Sequence, residues 1–181
     1  YKCYNTFYHP SNMIMVLCGD FKPEEMLDEV KRRLVEKPKQ GEIKRIYPKE
    51  NDEIHIPYKE TKMEVSKPVF MIGFKDKIEK ENKVQRHIAV EIIMNMLIGK
   101  SSPLYQKLYK EGILLSEPDL DYEFTDEYAH VLISGQSKEP RKIKEELLNE
   151  IKRQKESFDI EHFERIKKKI YGDYVSQYND V

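Results

Sequence analysis

Five histidines, two cysteines and thirty-three carboxylates are the groups in this 181-residue chain that could hold a metal or move a proton. His87 and Glu91 stand four apart in a helical pattern and share a face, as paired helical metal ligands do. Two side chains do not complete a site, and no third ligand lies nearby in sequence, so the pair reads as an ordinary helix surface. Glu127 and His130 fall on a turn or strand, where a spacing of three sends side chains to opposite faces. Asp159 and His162 share the first turn of the last helix, which suits capping. His9 precedes Pro10 in a loop, and His55 lies in a polar linker. Cys18 closes an apolar run whose burial would raise a thiol pKa, so an inert, buried thiol is expected. Lys167-Lys168-Lys169 is flanked by Glu161 and Glu164 and reads as a solvated helix face. The patterns H-x-x-E-H, H-E-x-x-H, G-x-S-x-G, the P-loop and the Rossmann glycines do not occur. Read by its own motifs, the chain carries no catalytic machinery.

The elements that would position these residues follow from pattern. Asn12 to Cys18 is a nearly continuous apolar run closed by Gly19-Asp20, which suits a strand buried on both faces. Pro23-Glu24-Glu25 opens a helix carried by Met26, Leu27, Val30 and Leu34 and ended by Pro38 and Gly41. One strand and one helix bury too little to stand alone, so this opening piece is expected to belong to a larger sheet. From Lys37 to about Glu60 the chain is polar and punctuated by prolines, a linker with short extended pieces such as Ile54-His55-Ile56. A second unit begins with a strand over Pro68 to Phe74 and a helix over Val84 to Ile98, whose Val84, Ile88, Ile92 and Met96 form one row. Gly99 is placed to cap that helix. Ser101-Ser102-Pro103 opens a short helix that Gly112 ends. Leu120, Tyr122 and Phe124, then Ala129, Val131 and Ile133, alternate about the turn Thr125-Asp126-Glu127 and predict an antiparallel hairpin. Two helices follow, marked by Ile143, Leu147, Leu148 and Ile151, then by Ile160, Phe163, Ile166, Ile170 and Tyr174. The order predicts an α+β fold, a mainly antiparallel sheet with helices packed on one face.

Composition bounds the function. Thirty-two basic against thirty-three acidic residues give a net charge of −1, which argues against a dedicated nucleic-acid binder. No apolar run approaches a membrane span and no signal-peptide pattern opens the chain, so no membrane partner is expected. Cys3 and Cys18 are too few for a disulfide framework, and a soluble, cytoplasmic protein is expected. Tyr1-Lys2-Cys3-Tyr4-Asn5 reads as the middle of something, and the last helical pattern is cut at Val181 without a stop signal. A fragment of a longer protein is expected.

Two segments carry a resemblance. Phe7 to Phe21, with Tyr8-His9-Pro10-Ser11-Asn12-Met13, the apolar run, Gly19-Asp20 and then Pro23-Glu24-Glu25, resembles a stretch of the pitrilysin/insulinase-type zinc peptidases. That family includes the mitochondrial processing peptidase and its bacterial relatives. Gly99-Lys100-Ser101-Ser102-Pro103-Leu104-Tyr105-Gln106-Lys107-Leu108, followed by Gly112, is similar to the family's second-domain motif. Both motifs stand in the family's order and separation, the likeness covers essentially the whole chain, and Tyr109 to Leu114 is closer to a bacterial subgroup.

The resemblance implies a division of labour. Zinc would be held by H-x-x-E-H and a later Glu upstream of Tyr8-His9-Pro10, with the motif Glu as general base, so this chain is expected to hold no catalytic residue, metal or cofactor. Residues 1–40 would be the last strand and helix of the zinc domain, 41–66 a linker, and 67–181 a metal-free second domain truncated at its C-terminus. Active members also set an Arg and a Tyr from the second motif across the cleft. The Arg position falls on Tyr109 and the Tyr position on Leu114 or Leu115. These three, with Tyr105, are the substrate-binding candidates, and the departure opens the alternative that a partner half supplies the clamp. The expected function is a non-catalytic wall of a peptide-enclosing chamber in a zinc endopeptidase. The alternatives are a scaffolding subunit of the same fold or a peptide-binding module using a sheet edge. Expected partners are the upstream zinc-binding domain, peptide substrate and a homo- or heterodimer partner.

Overall fold

Two units divide the chain, Tyr1–Pro48 and Lys49–Val181. The structure, a computed structural model, describes residues 1–35, 41, 43–44, 46–48, 51, 53–78 and 80–178. No helix among them is long and apolar enough to cross a membrane.

The first unit holds α1 (Lys2–Phe7), a 3-10 turn at Pro10–Asn12 and α2 (Pro23–Arg33). Helix α2 starts where the sequence predicts it, with Pro23 in its first turn. Glu24 and Glu25 lie at the positive end of its dipole, and Lys31, Arg32 and Arg33 at the negative end. Its expected stop at Pro38 lies outside the described residues. The strand expected over Asn12 to Cys18 does not form. Met13 to Leu17 pair with no strand among the described residues, and their side chains are 48–92% exposed. Cys18 is exposed as well, which overturns the buried thiol. The reason is that burial of an apolar strand needs a ladder neighbour and a second layer. The described residues of this unit supply neither, and none of its helical residues is buried.

The second unit is the expected α+β domain. Its elements run β1 (Val69–Asp76), α3 (Lys83–Ile98), α4 (Pro103–Lys110), β2 (Asp119–Phe124), β3 (Ala129–Gln136), α5 (Pro140–Glu156) and α6 (Ile160–Gln177). The three strands form one antiparallel sheet in the order β1-β3-β2. Phe124 pairs with Ala129 and Asp119 with Ser134, so the hairpin closes on the predicted turn. There the Thr125 Oγ1 accepts from the backbone N–H groups of Glu127 and Tyr128, both at 3.1 Å. The extended piece expected at Ile54-His55-Ile56 joins no strand.

Alternation sorts the sheet into two faces. Phe70, Ile72 and Phe74 of β1, Val131 and Ile133 of β3, and Leu120 of β2 pack against Leu97 and Ile98 of α3, Leu104 and Leu108 of α4, and Ile143 and Leu147 of α5. Tyr122 and Ala129 meet Met94 beside Val90 and Phe124. A second helix layer forms where the row Ile88, Ile92 and Met96 meets Phe163, Ile166, Ile170 and Tyr174 of α6, while Val84 at the row's start stays exposed. Helix α3 is therefore covered on two sides, which explains its apolar C-terminal half, where Ile92, Met94, Met96, Leu97 and Ile98 are all buried.

Candidate functional site

The segment Gly99 to Leu115 joins α3 to the hairpin, and its local chemistry fixes α4 tightly. Ser102 is fully buried and its Oγ accepts the Tyr105 backbone N–H at 3.1 Å, with Pro103 following as the first helical residue. At the other end Gly112 takes φ +67°. Its N–H reaches the Tyr109 carbonyl at 3.0 Å, and the Ile113 N–H reaches the Leu108 carbonyl at 2.9 Å. These two bonds make a Schellman closure of the helix. Gly99 is the C-cap of α3, as expected, and donates its N–H to the Asn95 carbonyl at 3.0 Å. Its φ is −65°, and a side chain there would meet the Asn95 carbonyl oxygen at 2.6 Å, so the glycine permits close approach to α3.

Within this frame the four substrate-binding candidates separate. Tyr105 and Tyr109, one turn apart on α4, stack with ring centroids 5.6 Å apart and 18° between planes. Tyr105 is 6% exposed and part of the core, whereas Tyr109 is 52% exposed. Burial pushes the Tyr105 phenol above its ordinary pKa, and the neighbouring Tyr109 and Glu117 add to this. Leu114, 1% exposed, sits in the core cluster below α4. Leu115 is half-buried and donates its N–H to the Gln136 carbonyl at 3.1 Å, tying the segment to the end of β3. The structure thus stacks exposed Tyr109 on buried Tyr105 along one helix and sends Leu114 inward.

The residues do not fit a metal centre. Among the described residues no three of His, Cys, Asp and Glu gather. Asp159 caps α6, its Oδ1 accepting the His162 N–H at 2.9 Å. Glu161, Lys167, Lys168 and Lys169 are exposed, and Lys167 lies 3.5 Å from Glu164.

Sequence reasoning missed two polar arrangements. Asp76 at the end of β1 accepts from Arg86 Nε at 2.9 Å, from Arg86 Nη2 and from the Tyr122 hydroxyl at 2.8 Å. The Arg86 bonds hold the Asp76 carboxyl below its ordinary pKa against the opposing effect of burial. Glu150 on α5 is buried and accepts from Arg153 Nε at 2.8 Å, Arg153 Nη2 at 2.6 Å and Gln154 Nε2 at 2.9 Å. The available signal was an acid or tyrosine on an otherwise apolar face, Asp76 after Phe74 and Tyr122 between Leu120 and Phe124.

Comparison with known proteins identifies the arrangement. The family described as "Peptidase M16 inactive domain" matches residues 1–170. The chain is 33% identical over 187 residues to YmfH, an uncharacterized zinc protease of Bacillus subtilis (strain 168); the match covers 99% of this chain and 43% of that protein. The crystal structure of an M16-like peptidase from Alicyclobacillus acidocaldarius superposes with a TM-score of 0.74 at 28% identity, covering 98% of this chain and 43% of that one. The chain therefore spans less than half the length of these relatives. It belongs to the M16 peptidase family, whose inactive-domain type it matches over residues 1–170.

Proposed function

We propose that this chain forms one wall of a peptide-enclosing chamber in a zinc endopeptidase, with the metal and its ligands standing on an upstream domain. The observation that carries the reading is the two-faced sheet. Helices cover one face, while Val69 and Met71 lie 62% and 67% exposed on the other, a rigid open surface against which an extended peptide can be confined. Tyr109, held by its stack on Tyr105, is the residue of the second motif with most ring surface free to touch substrate. Leu115 lines the same segment, and Leu114 supports it from the core. The exposed run Met13 to Leu17 is the part that would enter a sheet supplied by the upstream domain, where it would gain both a ladder and a cover.

The reading is tested by metal analysis and peptide hydrolysis of the chain alone and after mixing with the upstream half. Alone, it should hold no stoichiometric zinc and cleave nothing. The mixture should hold about one equivalent and show hydrolysis that a chelator stops. One tightly bound zinc on the isolated chain would overturn the proposal. A second reading, a scaffolding subunit of the same fold, is favoured by Tyr109 standing where active members carry Arg. It predicts a mixture that assembles but stays inactive.

A further inference from the structure

Strand β1 is an edge of the sheet, paired with β3 on one side and with no strand on the other among the described residues. Its run Val69-Phe70-Met71-Ile72-Gly73-Phe74 is apolar, uncharged and free of proline, the composition of a strand that recruits further strands. The preceding segment, read from sequence as a linker, is fixed to the domain at both ends of this strand. At the far end, Lys75 Nζ donates to the Asn51 carbonyl and, at 3.5 Å, to the Glu53 carbonyl. At the near end, the Arg141 guanidinium lies 5.2 Å from the centre of the Tyr58 ring. It donates to the Tyr58 hydroxyl at 3.4 Å and to Glu60 Oε2 at 3.5 Å. The Tyr58 hydroxyl donates to the same carboxylate at 2.7 Å, and this bond, then Arg141, hold the Glu60 carboxyl below its ordinary pKa. Arg141 stands in the first turn of α5, close after Gln136, the partner of Val69. Beside it the Ser137 N–H bonds the Pro68 carbonyl at 3.0 Å.

From this placement we infer that residues 51–60 are a releasable strap that runs antiparallel to β1 past its outer edge and denies that edge to a second copy of this chain. Glu53 to Tyr58 spans at most about 18 Å of extended chain, and Val69 to Lys75 about 20 Å, so the strap is nearly fully extended between its fixings. Lys75 belongs to the open face with Met71, while α5 covers the other face through Ile143 and Leu147. A segment joining the two must pass the side of β1 opposite β3. Val69 and Met71 stay exposed, so the strap covers the edge and leaves the open face bare. Pro57 lies between the fixings and has no N–H to donate, so the strap ends the sheet instead of extending it. Ile54-His55-Ile56 accordingly joins no strand. Each fixing is exposed and weak by itself, which makes the strap sensitive to salt. Its release presents β1 to an identical β1, and the two pair through their outer N–H and C=O groups.

The test uses the 181-residue chain, trypsin, and a synthetic peptide of residues 54–64 as internal standard, with cleavage after Lys59 followed by mass spectrometry. At low salt the chain should be cut there at least about tenfold more slowly than the peptide. Arg141→Ala should raise the rate in the chain about 5- to 10-fold relative to the peptide, and about 0.5 M sodium chloride should do the same to the unaltered chain. Hydrogen exchange over a range of protein concentrations reads the edge itself. The double variant Lys75→Ala, Arg141→Ala, and the unaltered chain in high salt, should both gain protection in β1 as concentration rises. The unaltered chain at low salt should gain none there. Equal cleavage of chain and peptide at low salt would overturn the inference. So would a rate that neither Arg141→Ala nor salt moves, or released chains whose β1 gains no protection with concentration. The salt arm acts on the unaltered chain, so the test survives a variant that misfolds.

Discussion

His162 puts a buried imidazole on α6 at 3% exposure, with no hydrogen-bond partner for Nε2 among the described residues. Burial pushes its pKa below the ordinary value, and Arg165 adds to this, while Asp159 and Glu150 oppose it. Unfolding frees the ring to take up a proton, so its contribution to stability is full above about pH 6.5 and is lost as pH falls through that value toward the depressed folded pKa. Glu150 and Asp76 follow at lower pH. Burial alone would raise Glu150, but the bonds from Arg153 and Gln154 hold its pKa below the ordinary range. Arg86 does the same for Asp76. The stability that these two carboxylates contribute is present above about pH 4 and lost as each protonates. Acid should therefore destabilise the domain in two steps. Urea midpoints across pH should show His162→Leu flattening the upper step alone; an unchanged slope between about pH 6.5 and 5 would refute the assignment. Tyr122→Phe removes the hydroxyl that bonds Asp76 at 2.8 Å and should cost about 1–2 kcal/mol in the same measurement.

At the scale of elements, two glycines that look alike in sequence do different work. Gly112 needs its positive φ to close α4, and a Cβ there would meet nothing within 4 Å. Gly112→Ala should cost about 1–2 kcal/mol, the backbone penalty alone, and Gly112→Asn should recover part of it. Gly99 has an ordinary φ but no room, since its Cβ would fall 2.6 Å from the Asn95 carbonyl oxygen and 2.8 Å from its Cα. Gly99→Ala must shift the chain where it leaves the last turn of α3 and should cost more than Gly112→Ala by thermal or urea unfolding. The reverse order would show that the loop relaxes freely. Helices α4 and α5 are joined by the fully buried Leu108, Ile143 and Leu147 and, outside them, by Lys107 bonded to Glu146 at 2.9 and 3.0 Å. Leu147→Ala should cost about 2–5 kcal/mol, far more than loss of the exposed ion pair.

For the whole molecule the two units differ in how much they bury. The second has three apolar clusters beneath its sheet and helices, while no helical residue of the first is buried. Local opening free energy follows buried contact, so amides of α2 should exchange orders of magnitude faster than those of α3 and α5 in the isolated chain. If the proposed upstream domain supplies the missing ladder, mixing with it should slow α2 and Met13 to Leu17 selectively. Unchanged exchange there, together with assembly, would place the contact elsewhere.

Much of the second unit is legible from its residues, because each element is signalled within a few positions. Alternation about Thr125-Asp126-Glu127 sets the hairpin, Ser102-Pro103 starts α4, and the row from Ile88 to Met96 marks the buried side of α3. The two family motifs, read in order, also placed the chain in its family. Periodicity, however, reports a face and not what lies against it. So the run Met13 to Leu17 predicts burial that only a neighbouring strand can provide, and Cys18 is exposed with it. Only the tertiary structure stacked Tyr109 on Tyr105, turned Leu114 into the core, joined Asp76 to Tyr122 across 46 residues and left one sheet face open. Those outcomes depend on contacts between distant segments, and their geometry is fixed by packing rather than by any local pattern of residue types.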